Sequence, residues 1–449
     1  VGDDWDVEER AATVLGRLGL GDVELERTVG ALSGGQATLL GLASRLLREP
    51  DVLLQDEPSN NLDIDARERL YDVVAGWRGC LVIASHDRDL LGRVDRIAEI
   101  SADGIRLYGG AFDDYEAAVA AEHAAAAQAV RTAELDLKRE KREAQEARER
   151  ADRRASVGKR RARSGGIPPI VAGALQRKAE ASAGRAGDLH ERRLDAARER
   201  LAHERQALRE EERIRIALPQ TRVPAGRILF EADGATIALA GDAPIFGTAG
   251  IDLTIRGPER IALVGANGAG KTTLLRLVAG DLAPDAGRVR RYDTATIRTL
   301  PQRLDLLDDD VSVLANLRRF APGVPDAELR NRLAGFLFAG DHAHLPAADL
   351  SGGERLRATL ACLLAAEPSP QLLLLDEPTN NLDLGSVRQL EAALAAYEGA
   401  LVVASHDLPF LAEIGVSRWL RLAPGKGLVA EDGDGRSGDR LDPRGVVYS

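Results

Sequence analysis

A lysine at the end of a glycine-rich turn, and two adjacent carboxylates at the end of an apolar run, are the residues of this chain best suited to chemistry. Gly265, Asn267, Gly268, Gly270, Lys271, Thr272 and Thr273 lie in the stretch GANGAGKTT. RIALV precedes it and LLRLVAG follows, so the turn joins a strand to a helix, the context this motif requires. The glycines let backbone N–H groups turn inward around phosphate oxygens. The helix N-terminus adds the positive end of its dipole. In that setting Lys271 reaches β- and γ-phosphates and Thr272 ligates Mg²⁺. A chance glycine-rich turn is the plain alternative, and the flanking strand and helix argue against it.

Asp376 closes the run LLLL, so its carboxylate emerges at the carboxyl edge of a strand, where ligands bind in parallel sheets. Its expected role is Mg²⁺ coordination. Glu377 is placed to polarise an attacking water as general base. His406 follows the strand LVVAS and is a candidate contact to a γ-phosphate. Gln302, in LPQRLD, is a weaker candidate ligand of Mg²⁺ or water, with an ordinary surface glutamine as the alternative.

The elements that must position these groups occur twice. LSGGQ (32–36) answers LSGGE (350–354), DEPSNNLD (56–63) answers DEPTNNLD (376–383), and LVIASHD (81–87) answers LVVASHD (401–407). The offsets are 318, 320 and 320 residues, in one order, which means two homologous domains. In each copy a loop with two glycines opens a helix, a proline ends it, and an aliphatic run buried on both faces follows. Strands alternating with helices indicate a layered α/β domain. Ser33, Gly34, Gly35 and Gln36, and likewise Ser351, Gly352 and Gly353, offer hydroxyl and N–H donors to an anion at a helix start. The phosphate loop occurs once. Subtracting the offset from Gly265 places a first-repeat counterpart about 53 to 55 positions ahead of Val1. The expectation is a first domain lacking that part, consistent with a chain that starts at Val1 and has no methionine, so that Asp56, Glu57, His86 and Ser351–Gly353 form an incomplete site.

Between the repeats the composition changes. Residues 116–222 hold 25 Lys and Arg against 18 Asp and Glu, a net +7, and leave −18 for the rest. Val130, Leu137, Ala144 and Ala151 recur every seven residues, as do Leu194, Leu201 and Leu208, the spacing of a coiled-coil seam. Gly165-Gly166 and Pro168-Pro169, within residues 157–173, break the helix. An antiparallel hairpin results, in a register that pairs Ala151 with Leu194, Ala144 with Leu201 and Leu137 with Leu208. Arg153, Arg154, Lys159, Arg160, Arg161, Arg163, Arg177 and Lys178 crowd its tip. Such a cluster neutralises nucleic-acid phosphates. No aromatic lies among them to stack on bases. A solvated charged helix is the plain alternative.

Taken together, the phosphate loop, the LSGGQ and LSGGE signatures, the DEP and NNLD segments and the switch histidine resemble the ATP-binding cassette superfamily. Two cassettes flanking a charged helical insert, with no apolar run near the roughly 18 residues of a membrane span, resemble its ABC-F branch over residues 1–422. The resemblance implies two P-loop α/β cassettes joined by an antiparallel helical coiled-coil hairpin. They close head to tail on ATP and Mg²⁺, each nucleotide lying between one cassette's phosphate loop and the other's signature. It also implies an ATPase acting on the ribosome, the linker reaching from the tRNA exit site toward the peptidyl-transferase centre. The partners would be ribosomal RNA and possibly tRNA, and the outcome translation regulation or antibiotic resistance. One composite site, from Gly265–Thr273, Gln302, Asp376, Glu377 and His406 with Ser33–Gln36, should then be complete.

The expected domains are 1–112, the later part of a first cassette; 113–222, the hairpin; 223–424, a complete second cassette; and 425–449, a Gly- and Asp-rich mobile tail. A monomeric cytoplasmic protein is expected. A transporter's nucleotide-binding subunit is the first rival reading, set aside for want of spans and of a purpose for the basic hairpin. A DNA-maintenance ATPase is the second, but two lone cysteines make no zinc site. Two departures stand out. Gln55 occupies a strand position that is Leu375 in the second copy, and needs a partner if buried. No aromatic precedes the phosphate loop at a stacking distance for adenine, Phe246 being too close to the loop.

Overall fold

The computed structural model describes residues 7–24, 27–60, 62–101, 104–163, 191–204, 218–238, 244–292, 296–300, 305–380, 382–423, 425 and 427–431. Gln302, and Arg177 and Lys178 of the expected hairpin tip, lie outside these residues. Two compact units emerge, residues 1–95 with 213–449, and residues 96–212.

In the first unit the two repeats fold alike. The first contains α1 (Val7–Arg17), α2 (Gly34–Leu46), β1 (Val52–Asp56), α3 (Ile64–Ala75), β2 (Cys80–Ala84) and α4 (Arg88–Leu91). In the second unit come β3 (Arg96–Ser101), β4 (Gly104–Gly109), α5 (Phe112–Arg163) and α6 (191–204). The second repeat, again in the first unit, opens with β5 (Ile228–Thr236), β6 (Ile251–Arg256), β7 (Arg260–Val264) and α7 (Lys271–Ala279). It continues with β8 (Ala286–Arg291), β9 (Ile297–Leu300), α8 (Val313–Phe320), α9 (Asp326–Gly335) and α10 (Gly352–Leu364). It ends with β10 (Leu372–Asp376), α11 (Leu384–Ala395), β11 (Ala400–Ala404), α12 (Leu408–Glu413), β12 (Arg418–Ala423) and β13 (Gly427–Glu431).

The second repeat is built on a six-stranded sheet ordered β13-β12-β7-β11-β10-β9, parallel except for β13. The aliphatic runs LLLL and LVV are buried on both faces, and the alternation of their side chains says by what. Leu372, Leu374, Ala400 and Val402 pack with Leu274, Leu277 and Val278 of α7 and with the antiparallel sheet β6-β5-β8. Leu373, Leu375, Leu401 and Val403 pack with α8, α10 and α11. Phe246 is buried in the α7-side core, so it has no face free for a base.

In the first repeat β1 and β2 pair in the same parallel register, Leu53 opposite Leu81 as Leu373 is opposite Leu401. Only one face is covered. Leu53 lies in a core with Leu39 and Leu42 of α2 and Leu70 and Val73 of α3. On the other face Val52, Leu54 and Val82 are 54%, 66% and 56% exposed, where their counterparts in the second repeat lie under α7. Gln55 is half-buried; its Oε1 accepts from Arg45 Nη1 (3.3 Å), while its Nε2 is buried without a partner among the described residues.

Among the described residues α5 runs to Arg163, ahead of the Gly165-Gly166 pair expected to break it. Two expectations change. Leu201 clusters with Val130 and Ala133, with Leu137 packed against them, and Arg200 Nη1 is 3.9 Å from Asp136 Oδ2. The register that opposed Leu201 to Ala144 is therefore wrong. Val130 and Leu137 offer more apolar surface than Ala144, and a heptad names the seam without naming the facing residue. The tail assigned from residue 425 instead begins with β13, whose Leu428 and Val429 pair with Leu422 and Arg421.

Candidate active site

The phosphate loop leaves β7 and enters α7 through three left-handed glycines, Gly265 (φ 149°), Gly268 (φ 80°) and Gly270 (φ 101°). At Gly265 a Cβ would collide with the Leu422 carbonyl, whereas at Gly268 it would meet open space. Backbone conformation alone therefore demands glycine at 268, and the room left there is what a phosphate needs. Lys271 is buried and its Nζ donates to the Gly265 carbonyl (2.8 Å), folding the loop over its own lysine. The same Nζ stands 2.8 Å from His406 Nε2.

His406 and Glu377 follow the neighbouring strands β11 and β10. Glu377 N–H donates to the Ala404 carbonyl (2.8 Å), which pins the turn after β10 to the end of β11. Glu377 sits at φ 45° and its counterpart Glu57 at φ 44°, a left-handed conformation costly for a non-glycine residue. Both repeats carry it, so it belongs to the motif. Glu377 Oε1 lies 3.4 Å from His406 Nε2, and Glu57 Oε1 lies 3.5 Å from His86 Nε2. The environments differ. The His406 side chain is 4% exposed, the His86 side chain 46%.

Burial sets the charge states. It lifts the Glu377 carboxyl to about 7 against the opposing pull of Lys271 and Arg67, with Asp376 adding to the rise. Burial, Lys271 and Arg67 push His406 down to about 3, so the imidazole is neutral near pH 7. Burial lowers Lys271, with Glu377, Asp376 and Asp63 opposing. Glu377 Oε1 and His406 Nδ1 are buried without a hydrogen-bond partner in the protein. Two such orphaned atoms beside a buried lysine and an open glycine cradle fit a polyphosphate and its water.

The first repeat reaches this site. The Asn267 backbone N–H donates to Asp63 Oδ2 (3.3 Å) while Asp63 Oδ1 caps α3 at Ala66 N (3.0 Å). Arg88 Nη1 and Glu391 Oε1 are 2.8 Å apart, a second cross-repeat contact. Thr272 is exposed at the loop and Asp376 is half-buried at the strand end. Ser33 and Ser351 cap α2 and α10 with reciprocal capping boxes to Gln36 and Glu354. Among the described residues, the side-chain hydrogen bonds of Ser33 and Gln36 lie within their own helix start. Arg153 is exposed on α5, 3.9 Å from Glu149. Sequence reasoning missed Asp63 and Arg67. For Arg67 a usable signal was the break in the repeat, since its counterpart is Val387.

The ABC transporter family profile matches residues 3–60 and 248–380. Probable ATP-binding protein YheS of Escherichia coli K12 is 34% identical over 407 residues, 90% of this chain and 58% of YheS. The tylosin resistance ATP-binding protein TlrC of Streptomyces fradiae is 32% identical over 424 residues, 91% of this chain and 71% of TlrC. The chain belongs to the ABC-F family. This ABC-F chain spans 58% of the length of YheS and of the Bacillus subtilis protein YdiF. Among solved structures, the RNase-L inhibitor superposes with a TM-score of 0.54 at 19% identity, over 95% of this chain and 68% of that one. A complex of the archaeal ribosomal stalk protein aP1 with the ribosome recycling factor aABCE1 gives 0.53 at 20%, over 95% and 68%. At these identities the structures show the shared tandem-cassette fold.

Proposed function

We propose that this chain binds and hydrolyses ATP at one composite site and uses the cycle to engage the ribosome through the α5–α6 linker. The observation that carries the first half is the convergence of Lys271, Glu377 and His406 at the carboxyl edge of the sheet, with Asp63 of the other repeat bonded to the phosphate loop. Loop N–H groups and Lys271 bind the phosphates. Mg²⁺ needs only one or two protein ligands beside phosphate oxygens and water, and Thr272, Asp376 and Gln302 are the candidates. When bound, it neutralises charge developing on the phosphates. Glu377, ionised, takes a proton from the attacking water as the bond to the leaving ADP oxygen breaks. Neutral His406 stays within reach of Lys271 and Glu377, holding both at the γ-phosphate.

The ribosomal half rests on the basic linker, on the resistance named for TlrC and on the ribosomal partner named for aABCE1. Nine Lys and Arg stand against one acid in residues 153–185, which favours an RNA phosphate surface. No helix among the described residues is long and apolar enough to cross a membrane. The cassettes pair within one chain, which suits a cytoplasmic monomer. Glu377→Gln with ATP should co-sediment with ribosomes, and absence from the pellet counts against this role. Housekeeping and drug protection are separated by which ribosomal complexes it enriches.

A further inference from the structure

Arg67 sits where three features of the molecule meet, and no part of the motif set accounts for it. It lies in the first turn of α3, its side chain 12% exposed. Its Nε donates to the Leu62 carbonyl (3.3 Å), the residue just before Asp63. Asp63 is the residue that accepts from the phosphate-loop N–H of Asn267. Arg67 Nη1 also lies 3.7 Å from Asp87 Oδ2, which accepts the Tyr71 hydroxyl (2.7 Å). Asp87 Oδ1 caps α4 at Leu90 N (3.1 Å), and the first residue of α4, Arg88, makes the 2.8 Å pair with Glu391 on α11. One guanidinium thus braces both segments through which the first repeat grips the second.

The repeat shows that this brace is not part of the common fold. Val387 stands at the position equivalent to Arg67, Glu391 at that of Tyr71 and Leu408 at that of Arg88. The cation is present only on the side that faces the intact phosphate loop. Its charge is felt there, since Arg67 opposes protonation of Glu377, His406 and the buried Asp407.

We propose that Arg67 is a positioning residue of the intact site, acting from the opposite cassette. It holds the Leu62–Asp63 turn against the phosphate loop and the α4 corner against α11, so that loop and base are aligned only while the two repeats are engaged. This rests on the ATPase reading above. The groups facing Glu377 and its surroundings are Asp376 on β10, Lys271 on α7, His406 after β11, Arg67 on α3, Asp63 beside Lys271 and Arg421 beside His406.

The test compares Arg67→Val, which installs the second repeat's own residue, with Arg67→Lys, in the full chain. Steady-state phosphate release with MgATP is followed at fixed pH over a range of ATP concentrations. Arg67→Val is expected to lose ten- to a hundredfold in kcat, with a smaller change in KM. Arg67→Lys should recover part of the rate but not all of it, because one ammonium cannot replace both guanidinium contacts. A merely structural arginine would lower the folded fraction and leave kcat per folded site unchanged. Wild-type kcat in Arg67→Val overturns the proposal. If the wild-type chain releases no phosphate, the ATPase reading fails, and amide hydrogen exchange decides the brace alone. Faster exchange at 265–271 and 384–395 in Arg67→Val supports it, and unchanged exchange there overturns it.

Discussion

Glu377→Gln should lower kcat for ATP hydrolysis by roughly two to four orders of magnitude, the usual contribution of a positioned general base. Nucleotide affinity should stay within a few fold, because the phosphate contacts belong to the loop and Lys271. The amide matches the carboxylate in shape and cannot take a proton, so the loss falls on the chemical step and not on assembly. The wild-type rate should also carry the signature of the buried base. Desolvation holds the Glu377 carboxyl near 7, so the ionised, competent form is lost as pH falls through 7 and gained as it rises. His406, held near 3, stays neutral through that window and contributes no limb to the profile. Single-turnover phosphate release for both proteins measures this. A Glu377→Gln enzyme within tenfold of wild type would remove Glu377 from the role of base. A flat profile between pH 5.5 and 8 would show that burial does not set its charge.

The candidate catalytic groups could be proposed because their motifs recur at a fixed offset, and because a strand ending in Asp-Glu has one place to deliver them. The three strained or left-handed features, Gly265, Gly268 and Gly270, could be read as a phosphate loop for the same reason. What the chain did not disclose is what depends on pairs brought together from far apart. Arg67 is one of many arginines in charged helices, and beyond its break with the repeat only its bonds to Leu62 and Asp87 distinguish it. The upward shift of Glu377 needs the packing of β10 against β11, not the letters DE. Leu201 was correctly placed on a seam but opposite the wrong partner, since equal spacing permits several registers. β13 hid in a Gly- and Asp-rich segment because three apolar residues, Leu428 to Ala430, suffice for an edge strand.

Leu374→Ala should destabilise the second repeat by about 2–5 kcal/mol, the range for truncating a buried leucine. Leu54→Ala, at the same position of the first repeat, should cost no more than about 0.5 kcal/mol. The two leucines share a strand position, a register and a motif. They differ in that Leu374 is fully buried against α7 and Leu54 is 66% exposed. Leu53→Ala, one residue away on the covered face, should again cost about 2–5 kcal/mol, because its side chain fills the core between α2 and α3. Urea midpoints read from tryptophan emission report on both repeats, with Trp77 packed in the first core and Trp419 against the second. The comparison separates pattern from burial. By sequence all three leucines belong to apolar strand runs, and by structure one of them has nothing to lose. If Leu54→Ala proves as costly as Leu374→Ala, the open face of β1 and β2 is covered in solution.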